Sequence, residues 1–240
     1  MSEPLFRQNL RLFGQNGRFD LMLKDGLNAN ILPFAEQSPA LLALPGFCES
    51  HAQLFSGGAA LKQLSLAHVH DAETLHNVLV PFVKSTPTDE IVCAYAANYD
   101  LLGAKQPDLD ANLPNRPLCI NATDFHCSWA NTTALQAAGI LHGTDTGAEV
   151  VIGPDGLAVG ELRKFAAMDL VRWLTPSGGH ETLGLSALEP DTVTPAQRTR
   201  DKATLLRAMR ERLRHGIASV VNMDGALYLA DLQTEMAAEG

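Results

Sequence analysis

The feature that most constrains the fold is a helical pattern near residue 210 that leads directly into a strand pattern. The apolar stripe of the predicted helix consists of Leu205, Leu206, Met209 and Leu213. Gly216 follows as the expected C-terminal cap, and the apolar run at 217–223 then predicts a buried strand. A helix that feeds a buried strand is the repeating unit of α/β proteins, so we expect an α/β fold.

The N-terminal part of the chain has the pattern of short strands. Residues 19–32 predict two strands around a turn at 24–26, and residues 40–44 form an apolar run that Pro45-Gly46 ends. His51 is therefore expected just past the C-terminal end of a strand. Because α/β enzymes gather their chemistry at such strand ends, His51 is the first candidate functional residue.

Local signals predict further elements between residues 71 and 200. They are a helix from the N-cap Asp71 to the break at Ser85-Thr86-Pro87, strands at 91–95 and 118–120, a helix at 131–138 closed by Gly139, a hairpin of 150–152 and 157–159 around Gly153-Pro154-Asp155-Gly156, and a helix that Glu161 and Lys164 open. Residues 106–117 and 175–200 are rich in turn-forming residues, so we expect loop at 106–117 and an irregular connector at 175–200.

The charge and composition of the sequence exclude some classes of binding partner. The 18 Lys and Arg residues against 27 Asp and Glu give a net charge of −9, and no basic run occurs. We therefore expect no nucleic-acid partner and no anionic membrane surface, and a small molecule is the expected partner. The 46% hydrophobic and 19% charged residues are typical of a globular protein. No apolar run approaches the roughly 18 residues of a membrane span, and the N-terminus lacks a secretory pattern, which predicts a cytoplasmic location.

The four cysteines are Cys48, Cys93, Cys119 and Cys127, which lie far apart and form no CxxC pair. Three of them have apolar, strand-like neighbours, where a thiol behaves as a small hydrophobic group. We expect reduced core residues.

His51 and Gln53 share one side of the chain as it leaves the predicted strand, because strand side chains alternate with a period of two. In metal hydrolases this spacing usually carries two histidines, whereas a glutamine amide is neutral and a poor zinc ligand. From residue types alone, His51 is either a metal ligand or a buried, hydrogen-bonded histidine.

Two histidines, His68 and His70, form the only HxH motif of the sequence. They directly precede the helix that begins after Asp71 and follow no strand end. We interpret them as a solvated pair at a helix entry rather than as metal ligands.

A dense group of polar and aromatic residues lies at 124–131, with Asp124, His126, Cys127, Trp129 and Asn131. Such a connection is typical of a binding loop. Cys127 as a nucleophile with His126 as its base is one alternative, although adjacent residues seldom point at each other. A purely structural connection is the other.

Lys164 follows the predicted hairpin. A lysine there is ordinarily a solvated charge. A carbamylated lysine carries carboxylate oxygens and can then bind a metal, so both interpretations stay open.

Several separated blocks of this sequence together resemble the amidohydrolase superfamily, in particular amidohydrolase family 3. The blocks are 44–54, similar to the family's PGFxDSHxHL strand; 71–99, 107–110 and 115–117, similar to its inserted domain; 124–135 with Ala138-Gly139-Ile140, similar to its DGHxxWVNSxAL signature; 147–149, 154–156 and 160–164; and 215–221, similar to its next barrel strand. They follow the family's order across nearly the whole chain.

The resemblance implies a partial TIM-like metal-dependent hydrolase barrel with N-terminal β-sandwich strands and an inserted α+β domain. In this division, residues 1–44 form the sandwich strands, 45–56 and 201–240 begin the barrel, and 57–200 form the inserted domain. The implied reaction is hydrolysis of a non-peptide C–N bond, in an amide or cyclic amide or amidine, by water activated on a divalent metal. Zinc is the expected ion.

By position in the family pattern, His51 is a metal ligand and Gln53 stands where the second histidine belongs. Lys164 falls where an acidic residue is expected in this branch, and a carbamylated Lys164 would be a further ligand. The resemblance places His126, Trp129 and Asn131 in the substrate region.

The family's later histidines and its general-base aspartate would lie beyond Gly240. The resemblance thus implies an N-terminal piece of an enzyme, whose activity depends on the remainder.

A second hypothesis is a non-catalytic amidohydrolase remnant that serves as a binding or interaction module. In either case a partial barrel exposes apolar strand edges, so we expect the chain to aggregate or to form homo-oligomers.

Overall fold

The computed structural model describes residues 3–25, 27–34, 41–102, 106–178 and 189–239. In chain order, the elements are β1 (Leu5–Leu12), β2 (Phe19–Lys24), β3 (Leu27–Pro33), β4 (Leu41–Ala43), β5 (Phe47–Ala52), α1 (Leu54–Ala60), β6 (Leu64–Ser65), α2 (Ala72–Ser85), β7 (Val92–Ala97), α3 (Tyr99–Leu102), α4 (Gln106–Asn112), β8 (Leu118–Ala122), β9 (Cys127–Ala130), α5 (Thr132–Ala137), β10 (Glu149–Ile152), β11 (Ala158–Arg163), α6 (Lys164–Arg172), α7 (Pro195–Arg214), β12 (Ile217–Asn222) and α8 (Leu227–Glu239). The mixed α/β class is as predicted.

The chain divides into two compact units. Unit 1 comprises residues 1–48 and 216–219, and unit 2 comprises residues 49–215 and 220–240. Strands β5 and β12 form a two-stranded sheet, and the division runs through both strands. These are the strands at which the predicted barrel would begin.

Unit 1 contains a four-stranded sheet in the order β3-β2-β1-β4. Strand β2 pairs antiparallel with β1 and β3, which confirms the strands predicted at 19–32; Gly26 of the predicted turn lies outside the described residues. Among the described residues of this unit, Leu10 is the one buried apolar side chain. Its exposed large apolar residues are Leu5, Phe6, Phe13, Leu27, Ile31, Leu32, Leu41, Leu42, Leu44 and Phe47.

Unit 2 is built on a six-stranded sheet in the order β10-β11-β9-β8-β7-β6. Strands β6, β7 and β8 run parallel, and β8, β9, β11 and β10 pair antiparallel. Side chains along β8 alternate between two apolar cores, one on each face of the sheet. Leu118 and Ile120 pack in the core that includes α2, whereas Cys119 packs in the second core. The sheet is therefore covered on both sides.

Helix caps confirm the predicted starts of two helices, and a third cap marks a helix start that was not predicted. The Asp71 carboxylate accepts a hydrogen bond from Thr74 N at 2.7 Å and caps α2. The Asn131 side chain caps α5 through Ala134 N at 3.0 Å. Thr194 and Gln197 form a reciprocal capping box at the start of α7. Helix α7 thus begins at Pro195, inside the stretch expected to be an irregular connector, of which residues 179–188 are not described.

A third apolar cluster joins α1, α7 and α8, with Leu54, Phe55, Leu205 and Leu232. Gly58 lets α1 approach α7 closely, because a Cβ there would stand 2.4 Å from Thr204 O. The apolar stripe predicted for α7 was only partly right. Leu205 is buried, whereas Leu206 and Leu213 are exposed, and Ala208 packs in the cluster in their place.

The prediction of a buried strand after Gly216 was right in position and wrong in burial. Strand β12 has half-buried and exposed residues only. An apolar run indicates that a strand is suited to burial. It does not show that other parts of the described chain pack against that strand.

Three further predictions were wrong in detail. Residues 106–112 form α4 rather than loop, because Pro107 lies in the first turn, where a helix tolerates proline, and Leu109 is buried. Glu161 belongs to β11, so Lys164 alone opens α6. His51 lies inside a new strand, β5, rather than just past the strand that Pro45-Gly46 ends.

No disulfide links the four cysteines. Cys119 and Cys127 are buried, Cys93 is half-buried and Cys48 is exposed. Within the described ranges, no helix is both long and apolar enough to cross a membrane.

Candidate functional site

His51 and Gln53 open into one cleft of about 450 Å3 at the C-terminal end of β5. The cleft is lined by His51, Gln53, Ser56, Gly57, Ala60, Tyr95, Phe125 and Arg212. The two side chains that the sequence paired are thus brought together. None of these lining residues is acidic, and Arg212 gives the cleft a positive charge.

The end of β12 fixes the end of β5. Met223 N donates to Ala52 O at 2.7 Å, and the Asn222 side chain accepts from Leu54 N at 3.0 Å. The buried Asp224 carboxylate accepts from Ser56 N at 2.8 Å and, at 3.4 Å, from Phe55 N. Helix α1 has no capping bond from its own Gln53, so these two side chains satisfy its first N–H groups.

Asn222 and Asp224 lie at the end of the strand predicted at 217–223. The usable signal was their type, because Asn and Asp are the side chains that cap helices. Which helix they cap is a tertiary fact that spacing alone does not reveal.

A second group of side chains surrounds the turn between β8 and β9. Tyr99 Oη donates to Asp124 Oδ1 at 3.0 Å, and His126 N donates to the same oxygen at 3.0 Å. The His126 N–H bond is the main cause that lowers the pKa of Asp124. Burial, followed by the Asp124 carboxylate, raises the pKa of Tyr99 to about 12. The tyrosine is therefore a protonated hydrogen-bond donor at neutral pH.

Phe125 lies between Asp124 and His126 in the chain, has φ 57° and lines the cleft that contains His51. A non-glycine residue with positive φ is a strained conformation that the surroundings must enforce. The Asp124 carboxylate enforces it here by accepting the His126 N–H bond across the turn.

Trp129 lies in β9 with 2% of its surface exposed, and its ring meets Tyr99 edge-on at 5.4 Å between centroids. Its Nε1 is buried without a hydrogen-bond partner among the described residues. Trp129 therefore approaches the Tyr99–Asp124 pair and does not line the cleft at His51.

Burial raises the pKa of Cys127 to about 12, and Glu161 adds to the shift. The thiol stays protonated at neutral pH. Because the thiolate is the nucleophile, this environment argues against Cys127 as a catalytic nucleophile.

Asn131 is fully buried and its amide makes four hydrogen bonds. Its oxygen accepts from Leu118 N and Ala134 N, both at 3.0 Å, and its nitrogen donates to Leu113 O at 2.7 Å and Arg116 O at 2.8 Å. These bonds use its amide hydrogens and both acceptor positions, so in this conformation the side chain holds β8, α5 and the preceding loop together.

His126 and Lys164 lie next to each other and are not among the residues that line the cleft. Lys164 N donates to His126 O at 3.0 Å, and Lys164 has φ 65°. The His126 ring stacks on Phe165 at 6.1 Å between centroids, and both His126 and Lys164 are exposed. His68 and His70 are exposed just before α2, as predicted for a solvated pair.

The described side chains near His51 do not supply the donor atoms that the predicted metal needs. Over the parts of the chain with described coordinates, no group of three or more His, Cys, Asp or Glu side chains could hold a metal ion. His51 is the one strong zinc-ligand type in the cleft, and Gln53 is a neutral amide. These residues alone do not make a zinc site.

Two solved structures are similar in fold. An uncharacterized metal-dependent hydrolase from Pyrococcus furiosus has a TM-score of 0.57 and 18% identity, and the match covers 98% of this chain and 47% of that one. An uncharacterized metal-dependent hydrolase from Pyrococcus horikoshii OT3 has a TM-score of 0.50 and 17% identity, with 85% and 39% covered. The fold is thus of the class seen in metal-dependent hydrolases.

The model of the amidohydrolase family matches residues 41–240, and the chain belongs to that family. A plant relative, Protein LONG AFTER FAR-RED 3 of Arabidopsis thaliana, is 28% identical over 135 residues, which is 54% of this chain and 23% of that protein. The chain spans less than half the length of each of these three relatives.

Proposed function

We propose that the protein is a hydrolase that acts on a non-peptide C–N bond of a small molecule, in an amide or a cyclic amide or amidine. The family match over residues 41–240 supports the hydrolase class. The observation that carries the proposal is the cleft in which His51 and Gln53 lie side by side at a strand end. This is where α/β enzymes place their chemistry.

The proposal includes a divalent metal, with zinc as the expected ion, in the complete enzyme. His51 would bind it through an imidazole nitrogen, and the metal would supply an activated water. Because the described residues do not complete a metal site, further ligands must come from elsewhere. Lys164 would contribute only if it were carbamylated and brought to the cleft.

The chain's own residues would bind and orient the substrate. Phe125 and Tyr95 offer aromatic surface inside the cleft, and the Gln53 amide offers one donor and one acceptor group. A planar amide or cyclic amidine fits both, because its faces are apolar and its edge forms hydrogen bonds. His126, Trp129 and Asn131 stay proposed substrate residues; in this arrangement Asn131 would act by holding the loop in place.

The test measures bound metal by elemental mass spectrometry and hydrolysis of a panel of N-acyl amines and cyclic amides. We expect His51→Ala to lose the metal and the activity together. The matched control is His68→Ala, an exposed histidine outside the cleft, which should keep both. Hydrolysis that survives in the His51 variant, or a metal that stays bound in it, would contradict the assignment.

A second candidate function is a non-catalytic binding module, favoured by the absence of a three-residue metal-ligand group in the described parts of the chain. This function needs the cleft and no metal. Calorimetric titration of the complete protein with zinc separates the two: stoichiometric binding supports the hydrolase, and no binding, with ligand affinity unchanged by a chelator, supports the module. A cytoplasmic location and self-association remain predictions for both.

A further inference from the structure

Two cysteines face each other across neighbouring strands of the six-stranded sheet. In the parallel pairing of β7 with β8, Cys93 is the direct register partner of Cys119. Residues in register lie on the same face, and both side chains pack in the same apolar core with Leu135 and Met168.

This arrangement is compatible with a covalent link. Neighbouring strands lie about 4.8 Å apart, and the Cα atoms of a disulfide are separated by about 4.4–6.8 Å. The two sulfurs can therefore meet after side-chain rotation and a small local adjustment, without separation of the strands.

The two thiols differ in access. Cys119 is buried within the core, whereas Cys93 is half-buried and lines a small pocket of about 100 Å3. A water molecule occupies about 30 Å3, so this pocket admits a reagent as small as hydrogen peroxide and excludes a bulky peptide disulfide.

The described lining of this pocket carries more positive than negative side chains. It includes the cations Lys62, Arg200 and Arg207 and the carboxylate of Glu90, which Arg200 binds at 2.7 Å. A half-buried cysteine that a small reagent can reach, with cationic side chains in the same pocket, is the reactive kind. Burial raises the pKa of the Cys119 thiol, so Cys119 stays protonated and is not the first of the two thiols to react.

We propose that Cys93 and Cys119 are a modification site, a thiol pair that hydrogen peroxide converts reversibly into a cross-strand disulfide. The Cys93 thiolate attacks one peroxide oxygen and the O–O bond breaks. The departing hydroxide takes up the proton that Cys93 released and leaves as water, so that Cys93 becomes a sulfenic acid.

In the second step the Cys119 sulfur attacks the Cys93 sulfur and the S–O bond breaks. The hydroxyl group leaves with the Cys119 proton as a second water molecule. In sum, two thiols and one peroxide give one disulfide and two waters. A dithiol reductant reverses the change.

The test treats the full chain with a small excess of hydrogen peroxide and records its intact mass and its disulfide-linked peptides. We expect a loss of two hydrogens, about 2 Da, and a linked peptide pair that contains Cys93 and Cys119. Dithiothreitol should restore the original mass. A disulfide that joins another cysteine pair, or peroxide treatment that leaves Cys93 and Cys119 as thiols, would overturn the proposal.

Single variants assign the order of events. Cys119→Ser should stop at a sulfenic acid on Cys93 that dimedone labels, and Cys93→Ser should give no label in the core. Cys48→Ser is the matched control, because it removes the exposed thiol and should leave the cross-strand disulfide unchanged. Circular dichroism checks folding, and the wild-type peptide map decides the question even if a variant fails to fold. Equal labelling of Cys119 in Cys93→Ser would refute the assigned order.

Discussion

The two sheets of this protein differ in how their apolar residues are covered. The six-stranded sheet of unit 2 has an apolar core on each face. In the described part of unit 1, which contains the four-stranded sheet, Leu10 is buried and ten large apolar side chains are exposed. Both sheets come from sequence with similar strand patterns. An apolar pattern therefore predicts which side chains are suited to burial. Whether they are buried depends on which other elements of the fold pack against them.

The largest difference in unfolding free energy between the two sheets is expected when one apolar side chain in each sheet is truncated to alanine. Ile120→Ala removes a fully buried side chain from β8 and should cost about 3–4 kcal/mol of unfolding free energy. Leu27→Ala, at 73% exposure in unit 1, should change it by less than about 0.5 kcal/mol. Urea unfolding measures both, and equal losses would show that unit 1 has a cover of its own.

Two helix caps offer the next contrast, this time inside unit 2. Asn131→Ala leaves several buried backbone groups unpaired and should destabilise the protein by about 2–3 kcal/mol. Asp71→Ala removes an exposed cap that accepts a hydrogen bond from Thr74 N and should cost about 1 kcal/mol. If thermal unfolding gave the same loss for both variants, the buried network around Asn131 would not be the reason for its effect.

Self-association tests the exposed face of unit 1. Replacing Leu27 and Leu41 together by lysine should leave stability within about 0.5 kcal/mol and reduce oligomer formation, because the apolar surface becomes charged. Sedimentation velocity of both proteins is the measurement. A wild-type chain that sediments as a single monomer at high concentration would contradict the expectation.

The smallest expected effect is an alkaline titration. The pKa of Tyr99 is raised from 10.0 to about 12, so the neutral phenol is the form that folding favours. Its contribution to stability is complete below pH 10 and is lost as the pH rises towards 12. The difference in phenolate absorbance between wild type and Tyr99→Phe should have its midpoint near 12, and a midpoint at the ordinary value of 10.0 would show that neither burial nor Asp124 raises the pKa of Tyr99.

Elements with a local cause were predicted well. The caps at Asp71 and Asn131, the glycine at 139 with φ 71° and the 153–156 turn each depend on residues within a few positions. Helix α4 was missed because proline and aspartate signal a loop as well as a first helical turn, and only the burial of Leu109 decides between them.

The site was predicted only in part for a similar reason. The period-two spacing brought His51 and Gln53 to one cleft, as expected for a strand. Arg212 and Tyr95, which line the same cleft, are far from both in the sequence and carry no motif. His126, which precedes β9, and Lys164, which begins α6, are close to each other through a backbone hydrogen bond that no sequence spacing indicates.

The capping of α1 by Asn222 and Asp224 has a consequence for synthesis on the ribosome. The acceptors for the first N–H groups of this helix stand 168 residues downstream of Leu54 and Ser56. At about 5–20 residues per second, roughly 10–30 s pass before they are made. During that time the segment with His51 cannot be locked in its final conformation, while the six-stranded sheet between them can already have formed. The cleft is therefore expected to be among the last parts of the nascent chain to take shape.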